Sequence, residues 1–181
     1  MKVRIANSVR KPWLSVYKSR AAYLVFEVLL ISFASFPSFA KGPPREITIE
    51  NPRFARPIEI TDPAITTNFQ VFAGPGTSTN ESQSLIIDWA TGAVTPPSGL
   101  ESYRVSFYLA GYVRPYVVLY AFDHSNKQGY VYLPGKKDEW YRTNVSIVAR
   151  RVEGNWFRAL ARWEDVARPM IEKQLTISLK K

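Results

Sequence analysis

The sequence predicts a mainly β fold, built as an antiparallel β-sandwich or a twisted sheet with one short C-terminal helix. Beyond residue 45, short runs of β-branched and aromatic residues alternate with turns rich in proline and glycine, a rhythm typical of all-β domains. Proline cannot donate a ladder hydrogen bond and glycine accepts turn dihedrals, so both residues mark the ends of strands. Two of the runs also alternate between apolar and polar side chains, which indicates one buried and one solvated face.

The predicted strands follow one another with little but turns between them. In the run 102–109 the odd-numbered residues are apolar, and in the run 140–150 mostly apolar odd positions alternate with Arg142, Asn144 and Ser146. This period of two is the spacing at which side chains share one face of a strand. The predicted strands are 46–50, 58–61, 65–72, 84–89, 102–110, 116–122, 129–133, 140–150 and 156–161.

The run 115–122 is apolar at both parities, so it is predicted to be a central strand that is covered on both faces. The segment from Trp156 onwards fits both a strand period and a helix period. The hairpin-like turn 153–155 favours a strand first, and residues 163–173 are then interpreted as a short amphipathic helix, bent near Pro169. This helix is the predicted cover of the central strand.

The first forty residues have the three parts of a secretory signal peptide. Six of the 24 lysines and arginines lie in the first twenty residues, and an apolar run follows at 21–34. Small residues stand at Ser38 and Ala40, so cleavage is predicted after Ala40. The alternatives are an uncleaved anchor and an over-called start codon. Glu27 inside the apolar run costs roughly 2 to 3 kcal/mol on insertion, which makes this run a poor membrane span.

The signal segment sets the predicted domain organisation and location. After the signal peptide 1–40 we expect a spacer at 41–45, a single β-rich domain at 46–175 and a basic tail at 176–181. The predicted location is extracytoplasmic, either periplasmic or secreted. The membrane is expected to be a partner only through the signal segment before cleavage.

Composition restricts the chemistry of the chain. The formal charge of +9 is concentrated in the leader, since residues 41–181 carry 18 basic and 14 acidic residues, so nucleic acid is not an expected partner. There is no cysteine, which excludes thiol catalysis and thiolate metal sites. His124 is the only histidine, and its neighbours Asp123 and Ser125 indicate an exposed hairpin loop. No metal and no cofactor are expected.

Paired carboxylates are the acid–base chemistry that this composition permits, as in glycosidases. Asp88, at the end of an apolar run, and Glu139 are the candidates for a carboxylate-dependent glycan hydrolase. A simpler interpretation is that Asp88 accepts a hydrogen bond from the turn that follows it.

A face that is both basic and aromatic is the predicted binding surface. Arginine forks match carboxylate, sulfate and phosphate groups, and exposed aromatic rings supply rigid stacking area. The same arginines also suit a sheet that is merely kept soluble. The predicted ligand-binding residues are Arg104, Arg142, Arg158, Trp140 and Trp156, with Arg150, Arg162 and Tyr108 expected on the same solvated side.

Four short stretches carry a resemblance to other proteins. They are SLIIDW at 84–89, GYVYLPGK at 129–136, VEGNWFRA at 152–159 and WEDVARPMI at 163–171. Their pattern resembles exported bacterial proteins of uncharacterised function, over about residues 60–171. The resemblance implies export and an extracytoplasmic β domain, and it implies no catalytic residues.

Together these observations predict a non-catalytic, extracytoplasmic binding or envelope-associated module. Its expected ligand is an anionic polymer or an acidic glycan. The alternatives are the glycan hydrolase and a subunit of an envelope protein complex, which would carry a large exposed apolar patch.

Overall fold

The computed structural model describes residues 42–77 and 84–178. The predicted signal peptide 1–40 and its cleavage site therefore lie outside the described residues, and so do residues 179–181 of the predicted tail. The strands are β1 (Glu46–Glu50), β2 (Ile58–Ile60), β3 (Ala93–Val94), β4 (Ser102–Tyr108), β5 (Tyr116–Asp123), β6 (Gln128–Tyr132) and β7 (Trp156–Arg158). The helices are α1 (Pro63–Thr66), α2 (Tyr141–Ile147), α3 (Ala161–Ser178) and a 3₁₀ helix at Trp89–Thr91.

The strands form one sheet in the order β2-β1-β4-β5-β6-β7-β3. All neighbouring pairs are antiparallel. The predicted fold class is confirmed as an antiparallel sheet with a C-terminal helix. The apolar strand β5 stands at the centre of the sheet, and most of its residues are buried, as its two apolar parities predict.

The core lies against one side of the sheet, called here the inner face. Register places Tyr103 opposite Tyr120 and Val105 opposite Val118 on this face, and all four residues are buried. Helix α3 packs on this face, where the Trp163 ring meets Tyr120 edge-on at a centroid distance of 5.9 Å. Burying a large side chain stabilises the fold by about 1.5 to 3 kcal/mol. The buried residues of α3 are Trp163, Ala167, Ile171 and Gln174, spaced as one helical face.

The helix α3 is longer than the sequence predicts. It begins at Ala161, runs through Pro169 and ends at Ser178, so residues 176–178 of the predicted tail are helical. Within the described part of the chain, no helix combines the length and the apolarity that crossing a bilayer requires.

Two predicted strands are wrong because their apolar residues enter the core without a ladder partner. The first, 65–72, begins inside helix α1, which Asp62 caps by accepting from the Ala64 amide at 2.8 Å. Phe69 then enters the core. In 84–89, three consecutive apolar residues are buried, but only isolated bridges form, at Ser84 and Ile87. A run that is buried on all sides has no period, so its apolar content does not distinguish a strand from a buried loop.

The predicted strand 140–150 is also wrong, because it contains α2. Its apolar residues satisfy a helical spacing as well as the strand spacing, and the fully buried positions Asn144 and Val148 are four residues apart. Arg142 and Ser146 point to solvent from this helix rather than from a strand.

Arg150 is buried rather than solvated, with 2% of its surface exposed. Its guanidinium donates to the carbonyls of Val71, Ala73 (2.8 Å) and Pro75 (3.2 Å), and to the Tyr116 hydroxyl at 3.2 Å. A guanidinium carries five donors in a planar fork, so a buried loop with free carbonyls satisfies it. Arg150 therefore holds the segment 71–75 against the inner face. It is not part of the predicted binding surface, so that prediction is wrong for Arg150.

Candidate functional site

The side of the sheet opposite the core, called the outer face, carries a row of half-buried side chains. Register aligns Arg104 with Leu119, Leu119 with Tyr132, and Tyr132 with Trp156. These four residues, one from each of four adjacent strands, are called the outer row. Neighbouring strands lie about 4.8 Å apart, so the outer row spans about 14 Å. The sequence predicts Arg104 and Trp156 as site residues, and the ladder supplies the two between them.

One end of the outer row is an ion pair covered by an indole. The Arg104 guanidinium bonds the carboxylate of Glu50, which stands opposite it on β1. The Trp140 ring lies over the same guanidinium, with 5.5 Å between the guanidinium carbon and the ring centroid. The predicted residues Arg104 and Trp140 therefore do meet. The charge of Arg104 is compensated, so this end offers hydrogen bonds and an aromatic plane rather than a free cation.

Helix α2 reaches this position because Asn144 fastens it to the edge of β5. The ladder between β5 and β6 ends at the pair Leu119 and Tyr132, so no strand pairs with Val117 on that side. The Asn144 side chain takes the strand's place. It accepts from the Val117 amide at 2.9 Å and donates to the Val117 carbonyl at 2.6 Å. This pairing satisfies both backbone groups of Val117 in the interior.

The other end of the outer row is an aromatic platform. The rings of Tyr132 and Trp156 lie with their centroids 5.1 Å apart. The Tyr132 hydroxyl donates to Asp138 at 2.8 Å, and the same carboxylate oxygen accepts from the Gly135 amide at 2.6 Å. Burial and the adjacent Asp138 carboxylate raise the pKa of Tyr132. The loop after β6 therefore fixes the orientation of the platform.

Arg158 adds an exposed positive charge beside the platform. It lies two residues after Trp156 on β7, and so on the same face, opposite Tyr130 of β6. Its side chain is exposed, and it forms no ion pair with any described residue. The structure therefore places Trp156 and Arg158 together at one end, with Arg104 and Trp140 at the other.

Two other residues predicted for this surface, Arg142 and Arg162, lie elsewhere, whereas Tyr108 lies on the outer face. Arg142 is exposed on α2 and lines a separate cleft beside Arg114. Arg162 lies on α3, where its guanidinium carbon is 5.8 Å from the ring centroid of Phe69, in the layer that covers the inner face. Tyr108 is half-buried and shares the parity of Arg104 on β4.

A cleft opens at the Glu50 end of the outer row. It has a volume of about 470 Å³ and is bounded by Glu50, Arg104 and Leu119 on the sheet and by the loop 51–57. Sequence reasoning missed Glu50, Leu119 and Tyr132 as site residues. Tyr130 and Tyr132 are two residues apart on β6, so the sequence places both tyrosines on one face, and this could have pointed to Tyr132. The position of Leu119 beside Arg104 depends on the register between β4 and β5, which the sequence does not give.

The two acids proposed for the hydrolase, Asp88 and Glu139, have different surroundings. Asp88 caps the 3₁₀ helix by accepting from the Ala90 amide at 3.1 Å, as the simpler interpretation predicts. Glu139 is exposed in the turn before α2. In the described parts of the chain, no hydrogen bond joins these two carboxylates, and neither lines the cleft beside the outer row or the cleft beside Arg142.

Glu164 on α3 is a carboxylate that is mostly shielded from solvent, with 12% of its side chain exposed. It accepts from the Tyr120 hydroxyl at 2.8 Å and from Arg168 at 2.5 Å. Burial raises the pKa of Glu164, although both partners oppose that shift. A Cβ on Gly129 would overlap its carboxylate, so no space for a substrate exists on that side. This group joins α3 to the sheet.

His124 lies in the predicted hairpin loop between β5 and β6 and is exposed. Its ring contacts Phe122 at a centroid distance of 4.4 Å, and its Nδ1 atom is 3.9 Å from Glu172. Hydrogen bonds from Ser125 hold the pKa of the adjacent Asp123 below its ordinary value. Among residues 42–77 and 84–178, no group of three or more histidines and acids is placed to hold a metal ion.

Comparison with known proteins gave no match, whether to a family model, to a curated protein or to a solved structure. The resemblance to exported bacterial proteins stays a prediction from the four stretches quoted above. The function is therefore argued from the geometry of the outer face.

Proposed function

We propose that this protein is a non-catalytic, extracytoplasmic binding module that holds a glycan chain with acidic groups along its outer row. The observation that carries the proposal is the row itself, with Arg104, Leu119, Tyr132 and Trp156 aligned across four strands and Trp140 above one end. Export rests on the predicted signal peptide.

The shape and chemistry of the row suit a sugar chain. The row is open and about 14 Å long, so an extended polymer fits it better than a small compact ligand does. Sugar rings present apolar C–H faces that pack on indole and phenol rings, whose faces are electron-rich. Sugar hydroxyls need charged or polar partners nearby, and the Glu50–Arg104 pair supplies acceptors and donors at the cleft.

The acidic character of the ligand is inferred from Arg158. Because Arg158 is exposed beside Trp156 and forms no ion pair with a described residue, its fork is available for a carboxylate or sulfate while the adjacent sugar stacks on the indole. Arg104 does not offer this, since Glu50 already compensates its charge. The acid-binding end of the row is therefore the β7 end.

No described feature favours the alternatives over this proposal. The hydrolase requires two acids that face one cleft, and Asp88 is instead engaged as a helix cap. A subunit of an envelope complex would need a large apolar patch. In the described chain the exposed large hydrophobic residues are Val113, on the loop before β5, and Ile177, on α3, which belong to different elements.

The test is titration of the purified protein with three polymers, followed by tryptophan fluorescence. Polygalacturonate carries carboxylates, dextran sulfate carries sulfates, and dextran is uncharged. We expect binding to the charged polymers that weakens as salt is added. Trp156→Ala should weaken this binding by about tenfold, the effect of losing one stacking contact, and Trp156→Phe should restore part of it.

Arg158→Ala tests the acid-binding end, and Arg162→Ala is its matched control. Both are exposed arginines, so each variant removes one charge, but Arg162 lies on the helix layer rather than on the outer face. We expect Arg158→Ala to reduce both the affinity and its salt dependence, and Arg162→Ala to leave both unchanged. Binding that Trp156→Ala does not alter, or no binding to any polymer, would refute the proposal.

A further inference from the structure

A second cleft lies between the loop that precedes β5 and helix α2. It has a volume of about 390 Å³ and is called here the arginine cleft. None of its lining residues belongs to the outer row or to the cleft beside Glu50. Its lining residues are Tyr112, Val113, Arg114, Arg142, Thr143, Ser146 and Ile147.

Two arginines line the arginine cleft, and none of the described lining residues is acidic. Arg114 and Arg142 are both exposed, and neither forms an ion pair with a described residue. No Asp or Glu stands among the lining residues. Arg53, Arg104 and Arg168, in contrast, are each paired with a glutamate. Two like charges in one cleft repel each other, and a bound dianion would relieve that repulsion.

Neutral donors complete the lining. Tyr112 and Thr143 also line the cleft, and their hydroxyls have no hydrogen-bond partner among the described residues. The Ser146 hydroxyl donates to the Thr143 carbonyl at 2.7 Å. Two arginine forks and two hydroxyls are the donor set that a tetrahedral phosphate requires, since its oxygens accept several charge-assisted hydrogen bonds.

We propose that the arginine cleft is a binding site for a phosphate group. The site is separate from the proposed glycan site and goes beyond it, because it adds Arg114 and assigns Arg142 to a different ligand. The same phosphate chemistry is presented by free phosphate or by a lipid headgroup. Val113, fully exposed at the cleft, is the feature that would contact the apolar part of a lipid.

The experiment follows backbone and arginine side-chain resonances of the full chain by NMR while inorganic phosphate is added. We expect saturable shifts centred on Arg114 and Arg142. Losing one arginine fork removes a charge-assisted hydrogen bond, so Arg114→Ala and Arg142→Ala should each weaken binding by about tenfold. The control is the double variant Lys136→Ala, Lys137→Ala, which removes two exposed charges outside the cleft and should bind as the wild type does.

A second arm identifies the source of the phosphate by sedimentation with vesicles of neutral phosphatidylcholine, with and without phosphatidylglycerol. Recruitment to the anionic vesicles that Arg114→Ala and Val113→Ser both reduce would assign the phosphate to a lipid. Saturable phosphate shifts without recruitment would assign it to a soluble ligand. The proposal is overturned if neither arm detects binding. It is also overturned if the double variant of Lys136 and Lys137 loses as much affinity for phosphate as the arginine variants do. Trp156→Ala should have no effect in either arm, which separates this site from the glycan site.

Discussion

Replacing Asn144 with alanine tests whether a side chain can stand in for a strand at the edge of β5. Asn144 is 1% exposed, and its amide makes both backbone hydrogen bonds of Val117. The variant leaves one N–H and one C=O group without partners in the interior. Each orphaned group costs about 1 to 3 kcal/mol, so the free energy of unfolding should fall by about 2 to 6 kcal/mol.

Two further variants separate the hydrogen bonds from a general effect on α2. Asn144→Asp keeps an acceptor for the Val117 amide but, when ionised, has no donor for the Val117 carbonyl. Burial raises the pKa of such a carboxyl, so its protonated form should restore the donor as the pH falls. This variant should therefore be more stable at low pH and lose stability as the pH rises through the folded-state pKa of the introduced carboxyl group. Ser146→Ala changes the exposed side of α2 and should stay within about 0.5 kcal/mol of the wild type.

The assay is urea unfolding followed by tryptophan fluorescence, with amide hydrogen exchange at Val117 as the local readout. Exchange at Val117 should accelerate in Asn144→Ala because its acceptor is gone. The variant should also weaken glycan binding, since Asn144 positions α2 and with it Trp140 over Arg104. An unfolding free energy within 0.5 kcal/mol of wild type, or undiminished protection at Val117, would refute the reasoning.

Three other predictions concern the inner layer, and urea unfolding measures each. Gly129→Ala would overlap the Glu164 carboxylate and should destabilise the fold by about 1 to 3 kcal/mol, whereas Gly42→Ala, in open space, should be neutral; equal midpoints would contradict this. Arg150→Lys removes the planar fork from the carbonyls of 71–75 and should cost about 2 to 4 kcal/mol; a loss under about 1 kcal/mol would mean that this loop holds without the fork. Burial raises the pKa of Glu164 above its usual value of 4.5, so the stability that Glu164 contributes should be lost as the pH rises through its folded-state pKa. Glu164→Gln should remove this pH dependence. A stability difference between wild type and variant that does not change with pH would contradict the prediction.

The elements that the sequence predicts correctly are those whose burial leaves a clear pattern of apolar and polar residues along the chain. The strand β4 shows its buried and solvated faces as an alternation, and β5 shows its central position as apolar residues at both parities. The four-residue and three-residue spacing of the buried side chains in α3 is equally readable. In these elements the burial pattern is written along the chain.

The wrong predictions occur where two periods fit or where none exists. The residues of 140–150 satisfy strand and helix spacing alike, and the choice falls to α2 because the Asn144 side chain occupies the edge of β5. The burial of Arg150 follows from the same choice, because the chain that leaves α2 runs to the inner face, where Arg150 bonds the Tyr116 hydroxyl. Neither outcome depends on a local preference of those residues.

By itself the sequence determined the fold class, the central strand and the C-terminal helix, because each of these is a local pattern of polarity. The tertiary structure alone decided the strand order and register that align Arg104, Leu119, Tyr132 and Trp156, and the burial that removed Arg150 from the outer face. Register depends on which edges pair and on what satisfies the backbone where pairing stops. Those are contacts between residues distant in the chain, and no local pattern records them.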